Sequence, residues 1–292
     1  MRLFVQACIL GVLIGGVYAL MASGVTLVFG IMRVVNVAQG AMVILGAYLS
    51  YSLFTHAGID PFLSILLIAP AMFGLGVLIH RVFIRSLRSE RGEEMSLLVT
   101  WATALAVEGV LSVVYTTTYR STITSYAQRS WRVAGFHVPE VRVFAFLLSV
   151  VILAGMYLLL ERTRFGRSVR AIVQNPTSAK LLGVNADTVA GLGFGLGVST
   201  AAAAGAVYGI VYPFNPGSHY DLISRLLSIV VLGGLGSLTG AVVAAMLLGV
   251  TESIVAVTIA PIWAPFVFFV VLIAILLFRP QGLFGVRERG AL

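Results

Sequence analysis

Apolar residues run through the chain in eight blocks, 3–32, 34–54, 61–79, 95–119, 143–160, 188–212, 226–251 and 253–278, separated by short polar stretches. A spanning helix needs about 20 mostly apolar residues, so the pattern predicts an all-α polytopic membrane protein. The blocks cover most of the chain, and 1–292 reads as a single transmembrane domain. Arg2 followed by an apolar run resembles a signal peptide. The charge-free stretch from Leu3 to Met32 exceeds the ~7–15 residues of a cleavable core, however, and predicts a first membrane helix.

Two blocks do not read as single straight spans. The first is longer than one crossing requires, and 226–278 is interrupted only by Glu252. Strict alternation of eight spans leaves ten basic residues on one side and nine on the other, whereas cytoplasmic loops carry an excess of Lys and Arg. Making one element between 188 and 278 re-entrant moves Arg279, Arg287 and Arg289 across, for 13 against 6. The expected break is Val230–Gly240, where four glycines oppose helix formation. A similar interruption, Arg33–Gly40, precedes the small-residue run Ala41–Leu53 as Val230–Gly240 precedes Ala241–Val250. The expectation is two pseudo-symmetric halves with broken or re-entrant helices that meet at a substrate path.

Composition agrees. Of 292 residues, 59% are hydrophobic and 10% charged, with a mean hydropathy of +1.03. A soluble domain carries about a quarter charged residues, so a soluble enzyme, a nucleic-acid-binding domain and a disordered scaffold are excluded. The net charge of +8 comes from arginines in short runs between apolar blocks, and Lys180 is the only lysine. Cys8 stands alone, which excludes an internal disulfide framework, and the four histidines show no metal-ligand spacing.

The best-defined polar segment is 161–187. Arg162, Arg164, Arg167 and Arg170 place it on the cytoplasmic side. After Gln174, Asn175-Pro176 supplies an N-cap and a proline at the first helical position, and Gly183 closes a run with Ala179, Leu181 and Leu182. The spacing predicts a capped helix of about two turns, which suits a partner's groove or the membrane surface. A phosphate loop needs a Gly-rich turn followed by Lys. Lys180 sits between Ala179 and Leu181, so that motif is absent.

Polar residues at membrane depth are expensive and point to function. Asn36 and Gln39, beside Gly40, are read either as lining a passage or as a helix end. Glu108 is expected to be a packing residue with no second carboxylate or histidine beside it, and Glu252 and Asp221 are expected at helix ends. Gly233, Gly234 and Gly236 join the candidate path through the second interruption. No nucleophile–base pair, paired carboxylates or phosphate loop appears.

Four stretches then match a known family in order. Gly16–Gly40, Phe165–Pro176 with Ala179 and Leu182–Asn185 after it, Val231–Gly240, and Arg279–Gly285 resemble the permeases of high-affinity branched-chain amino-acid ABC transporters of the Leu/Ile/Val type. The resemblance implies a multi-pass subunit of the bacterial inner membrane that pairs with a homologous second permease as a heterodimer. It implies two cytoplasmic ATPase subunits that bind ATP-Mg, so this chain needs no cofactor, and a periplasmic substrate-binding protein. It also implies that the loop matching 165–185, with Arg170, Gln174, Asn175, Pro176, Ala179, Leu182 and Gly183, docks on the ATPase. The family commonly has His where this chain has Gln39, which argues against a protonatable group there. Related permeases carry urea, short amides or other amino acids. A stand-alone ion-coupled transporter is the rival class, and membrane lipid the other expected neighbour.

Overall fold

A computed structural model describes residues 2–85, 92–127, 129–133, 135–279 and 282–284. Helices dominate: α1 Arg2–Met32, α2 Gln39–Ala57, α3 Pro61–Ile79 with a π turn His80–Ile84, and α4 Gly92–Tyr115. A hairpin of β1 Ser130–Val133 and β2 Phe136–Pro139 leads to α5 Glu140–Arg162, then the short α6 Arg164–Gln174 and α7 Pro176–Leu181. The chain closes with α8 Ala186–Val211, α9 His219–Gly233, α10 Leu238–Thr258 and α11 Phe266–Phe278. Six of these, α1, α3 with its π turn, α4 from Met95, α5, α8 and α10, are long and apolar enough to cross a membrane. The rest of the bundle is α2, the 15-residue α9 and the 13-residue α11.

The eight apolar blocks therefore resolve differently at the C-terminal end. Block 226–251 contains parts of two helices, because Gly234 and Gly236 take the positive φ angles 96° and 82° and turn the chain between α9 and α10. Val230–Gly240 is thus a helix hairpin and not a re-entrant break. Leu235 and Gly236 are exposed, and Ser237 caps α10 by accepting from the Gly240 N–H at 3.1 Å. The second interrupted backbone lies earlier, at 212–218, where Pro213 and Pro216 supply no N–H to a helix.

With that correction the two halves correspond in the same chain order and with opposite orientation. α1, a break at 33–38, α2, α3 and α4 match α8, a break at 212–218, α9, α10 and α11. The packing follows the same exchange: α1 lies on α10 as α3 lies on α8, α2 touches α4 as α9 touches α11, and α1 crosses α8. Small residues permit the close crossings. Gly11 faces Gly249 and Val250, while Gly15 faces Ala245 and Met246, which fixes α1 and α10 as antiparallel neighbours.

The return of the chain through α9 also settles the charge distribution. Leu27 and Ile31 at the end of α1 pack with Val169, Ile172, Ala179 and Ala186. The segment after α11 returns to this end, where the Leu283 and Phe284 N–H groups cap the carbonyls of Leu232 and Gly233 at 2.8 and 3.1 Å. Arg33, Arg81, Arg85, Arg162, Arg164, Arg167, Arg170, Lys180 and Arg279 gather there. Arg2, Arg120, Arg129, Arg132 and Arg142 lie at the opposite end, so the first end is cytoplasmic by the positive-inside rule. Arg88, Arg91, Arg287 and Arg289 lie outside the described residues.

The outer end is tied by polar contacts. The Gln6 side chain bonds both backbone groups of His137 in the hairpin. Asp60 caps α3 through the Phe62 N–H at 2.9 Å and accepts the Tyr126 hydroxyl at 2.7 Å. Burial and that carboxylate push the Tyr126 phenol above its ordinary 10.0, so this tie is complete below pH 10 and is lost only as pH rises past the raised value.

Candidate functional site

The two breaks bring two helix starts to mid-depth. From Met32 the chain doubles back, so that Gln39, the first residue of α2, donates to the carbonyls of Met21 at 3.4 Å and Gly197 at 3.0 Å. Both acceptors are well inside their helices. Asn36 Nδ2 donates to Gln39 Oε1 at 3.2 Å, and both residues are completely buried. Gln39 fits only because residue 24 is glycine, since a side-chain carbon there would overlap its amide nitrogen. Asn36 Oδ1 is buried without a hydrogen-bond partner. Thr100 of α4 serves this break, bonding the Val37 N–H at 3.4 Å and the Val35 carbonyl at 3.5 Å.

On the other side, α8 ends at Val211 and the chain again doubles back before α9 starts at His219. Its backbone is satisfied by the segment after α4: Arg120 and Phe214 exchange N–H···O bonds of 2.9 and 2.8 Å, and Thr122 donates to the Gly209 carbonyl at 2.9 Å. Irregular backbone at membrane depth requires such pairing within protein. The Asn215 and Ser218 side chains bond at 2.9 Å. The two helix starts then touch, Gly40 of α2 lying against the His219 carbonyl.

Beside this junction lies a polar face that the sequence did not announce as one site. Glu108 of α4 accepts the Tyr220 hydroxyl at 2.9 Å, and its Oε2 lies 3.9 Å from His219 Nε2. Tyr220 and Asp221 are exposed, and Asn215, Gly217 and Ser218 partly so. Glu108 therefore does have a histidine for company, which corrects the expectation of an isolated packing residue. The distance along the chain hid the pairing. An exposed polar group at this depth cannot face lipid without cost; it faces a partner chain or water.

Glu252 also departs from expectation. It sits inside α10, not at a helix end, and pairs with Arg225 of α9. Arg225 also donates to the Tyr18 hydroxyl at 2.7 Å, and its guanidinium lies over the Phe268 ring at 5.1 Å. This pair joins α1, α9, α10 and α11. Gly233 and Gly234 are buried at the cytoplasmic end of α9, with Gly236 exposed in the turn beside Gly30. They lie at the far end of α9 from Gly40, about 20 Å along its axis.

The cytoplasmic segment folds as two helices. Thr163 caps α6 through the Gly166 N–H at 3.3 Å, a helix the sequence reading did not separate. Arg170 clamps the end of α5, bonding the Leu160 carbonyl at 2.8 Å and Glu161 Oε2 at 2.5 Å. Asn175 caps α7 through the N–H groups of Thr177 and Ser178 at 3.1 and 3.0 Å, and Gly183 ends it with φ 83°. Ala179 turns inward and is buried, whereas Leu181 and Leu182 are 85% and 83% exposed. Gln174, Asn175, Pro176 and Gly183 are exposed on the same surface.

Two inverted halves with broken helices meeting at mid-depth define a membrane transport subunit. Residues 8–276 match the family described as "Branched-chain amino acid transport system / permease component". The chain belongs to that family. It is 28% identical over 298 residues to the high-affinity branched-chain amino acid transport system permease protein BraD of Pseudomonas aeruginosa, covering 97% of this chain and 96% of that protein. It is 28% identical over 301 residues to LivH, the permease of the same description in Escherichia coli K12, with the same coverages. A probable branched-chain amino acid permease LivH of Methanocaldococcus jannaschii is 25% identical over 281 residues, covering 91% of this chain and 88% of the relative. Among solved structures, PsaBC from Streptococcus pneumoniae in complex with Fab shares the fold, with a TM-score of 0.51 at 9% identity over 93% of this chain and 91% of that one.

Proposed function

We propose that this chain is the permease subunit of an ATP-driven importer of the bacterial inner membrane, translocating a small amino acid, branched-chain first among them, by alternating access. ATP and its Mg²⁺ are bound by two separate cytoplasmic ATPase subunits. A homologous second permease completes the membrane part, and a periplasmic binding protein delivers the substrate. No nucleic acid takes part. The observation that carries this reading is the capped helix α7: on the cytoplasmic side it holds Leu181 and Leu182 almost fully in the open. Large apolar side chains displayed on a rigid turn suit insertion into a partner's groove. Gln174, Asn175, Pro176 and Gly183 shape that surface, while Arg170 and Ala179 hold it to α5, α6 and α8.

The path runs along the polar face of Glu108, Asn215, Ser218, Tyr220 and Asp221. Asn36, Gln39 and Gly40 brace it from behind, and Gly233, Gly234 and Gly236 shape the turn between α9 and α10. Uptake by the reconstituted complex requires ATP and collapses on Leu182→Asp, which puts a charge on the docking face while the permease still assembles. Unchanged ATP-coupled uptake in that variant overturns the docking assignment.

A further inference from the structure

The His219–Glu108 gap has a definite hydrogen-bonding problem. His219 Nδ1 lies 2.9 Å from the Pro216 carbonyl, which can only accept, so the ring proton belongs on Nδ1. In the neutral ring Nε2 is then an acceptor. It is buried, 2% of the residue being exposed, and has no hydrogen-bond partner. It points at Glu108 Oε2, 3.9 Å away, a second acceptor that already receives the Tyr220 hydroxyl. The His219 and Tyr220 rings pack against each other, tilted by 35° with centroids 4.0 Å apart, which restrains the imidazole from turning away. With the ring neutral, two acceptors thus converge with no donor between them.

We infer that Glu108 Oε2 and His219 Nε2 form a binding site for a protonated primary amine, the ammonium group of an amino acid in transit. An ammonium carries three N–H donors and a positive charge, and can place one donor on each acceptor at about 2.9 Å across a 3.9 Å gap. The carboxylate supplies the neutralising charge. The approach is from the Glu108 side, which is 25% exposed, and residue 217 is glycine, where a side-chain carbon would stand 3.9 Å from Glu108 Oε1; His219 Nε2 itself is covered, so the amine reaches it as the Glu108 side chain shifts aside. Depth strengthens the selection, because a desolvated ammonium is held only where its charge is met. The inference rests on the permease reading and names the group that this face recognises.

The test reads the site itself. The full chain, labelled with [15N]histidine, is placed in lipid bilayers, and the His219 resonances are identified by loss in His219→Gln. Isobutylammonium is added, with uncharged isobutanol as control. The expected result is a shift of Nε2 from a bare to a hydrogen-bonded acceptor with the amine alone, and an apparent affinity about tenfold weaker in Glu108→Gln, or about 1.4 kcal/mol. Absence of a response to the amine overturns the inference. So does an equal response in Glu108→Gln, or an Nε2 already protonated and bonded to Glu108 before the amine is added. This measurement needs no ATPase, so its failure is distinct from failure of ATP-driven uptake.

Discussion

Gly40 and His219 mark the point where the two inverted halves touch: a side-chain carbon on Gly40 would lie 2.6 Å from the His219 carbonyl oxygen and 3.1 Å from the Ile223 nitrogen. Both obstacles are backbone, so neither can move aside as a flexible side chain does. Gly40→Ala is expected to part the starts of α2 and α9 and to cost about 1–3 kcal/mol. Thermal unfolding of the purified protein checks this, with a lowered midpoint expected and reduced uptake by the assembled transporter. An unchanged midpoint and unchanged uptake contradict the close contact.

Arg225 and Glu252 form the second junction that holds α9. Their side chains are 21% and 13% exposed, in an apolar setting. Removing one partner strands the other's charge, so Glu252→Gln is expected to destabilise the protein by about 3–5 kcal/mol. Replacing both, as Arg225→Met with Glu252→Leu, is expected to recover most of that loss. Denaturation of the single and double variants in matched detergent is the check. Equal destabilisation of the single and double variants would show that the charge pairing is irrelevant.

These two junctions also show what could be read from the sequence. The cytoplasmic helix α7 was legible because its signals are local: Asn175 and Pro176 start it and Gly183 stops it. The apolar blocks were legible for the same reason, whereas the two halves were expected from Val230–Gly240 and not from 212–218, where the second break lies. The division of 226–278 was not legible, because its actual boundaries, the turn at Gly234 and Gly236 and the stretch holding Pro261 and Pro265, carry no charge, whereas the one charge in 226–278, Glu252, lies inside α10. Pro213 and Pro216 end α8 and open the second break, but they lie between two apolar blocks, where prolines equally suit an ordinary loop. Glu108 and His219 come together only through the return of 212–218 into the bundle, which no local pattern records.

Asn36 and Gln39 separate stability from transport. Gln39→Leu leaves the Met21 and Gly197 carbonyls without their side-chain donor, with a loss of about 1–3 kcal/mol expected. Asn36→Leu removes one bond to Gln39 together with an oxygen that has no partner, so its stability cost is smaller, about 1 kcal/mol. Transport by Asn36→Leu should nevertheless change, because this residue braces the start of α2 behind the path. Measured side by side, normal uptake in Asn36→Leu would leave the break a helix end and no more.

The energy source is the most direct test of the whole account. The chain is reconstituted in vesicles with its second permease, ATPase subunits and binding protein, and uptake of a branched-chain amino acid is followed under two conditions. One provides Mg-ATP on the ATPase side with all ion gradients collapsed by ionophores; the other provides a proton or sodium gradient without nucleotide. The account predicts accumulation with ATP alone and none with either gradient alone. Accumulation driven by a gradient in the absence of ATP would contradict it.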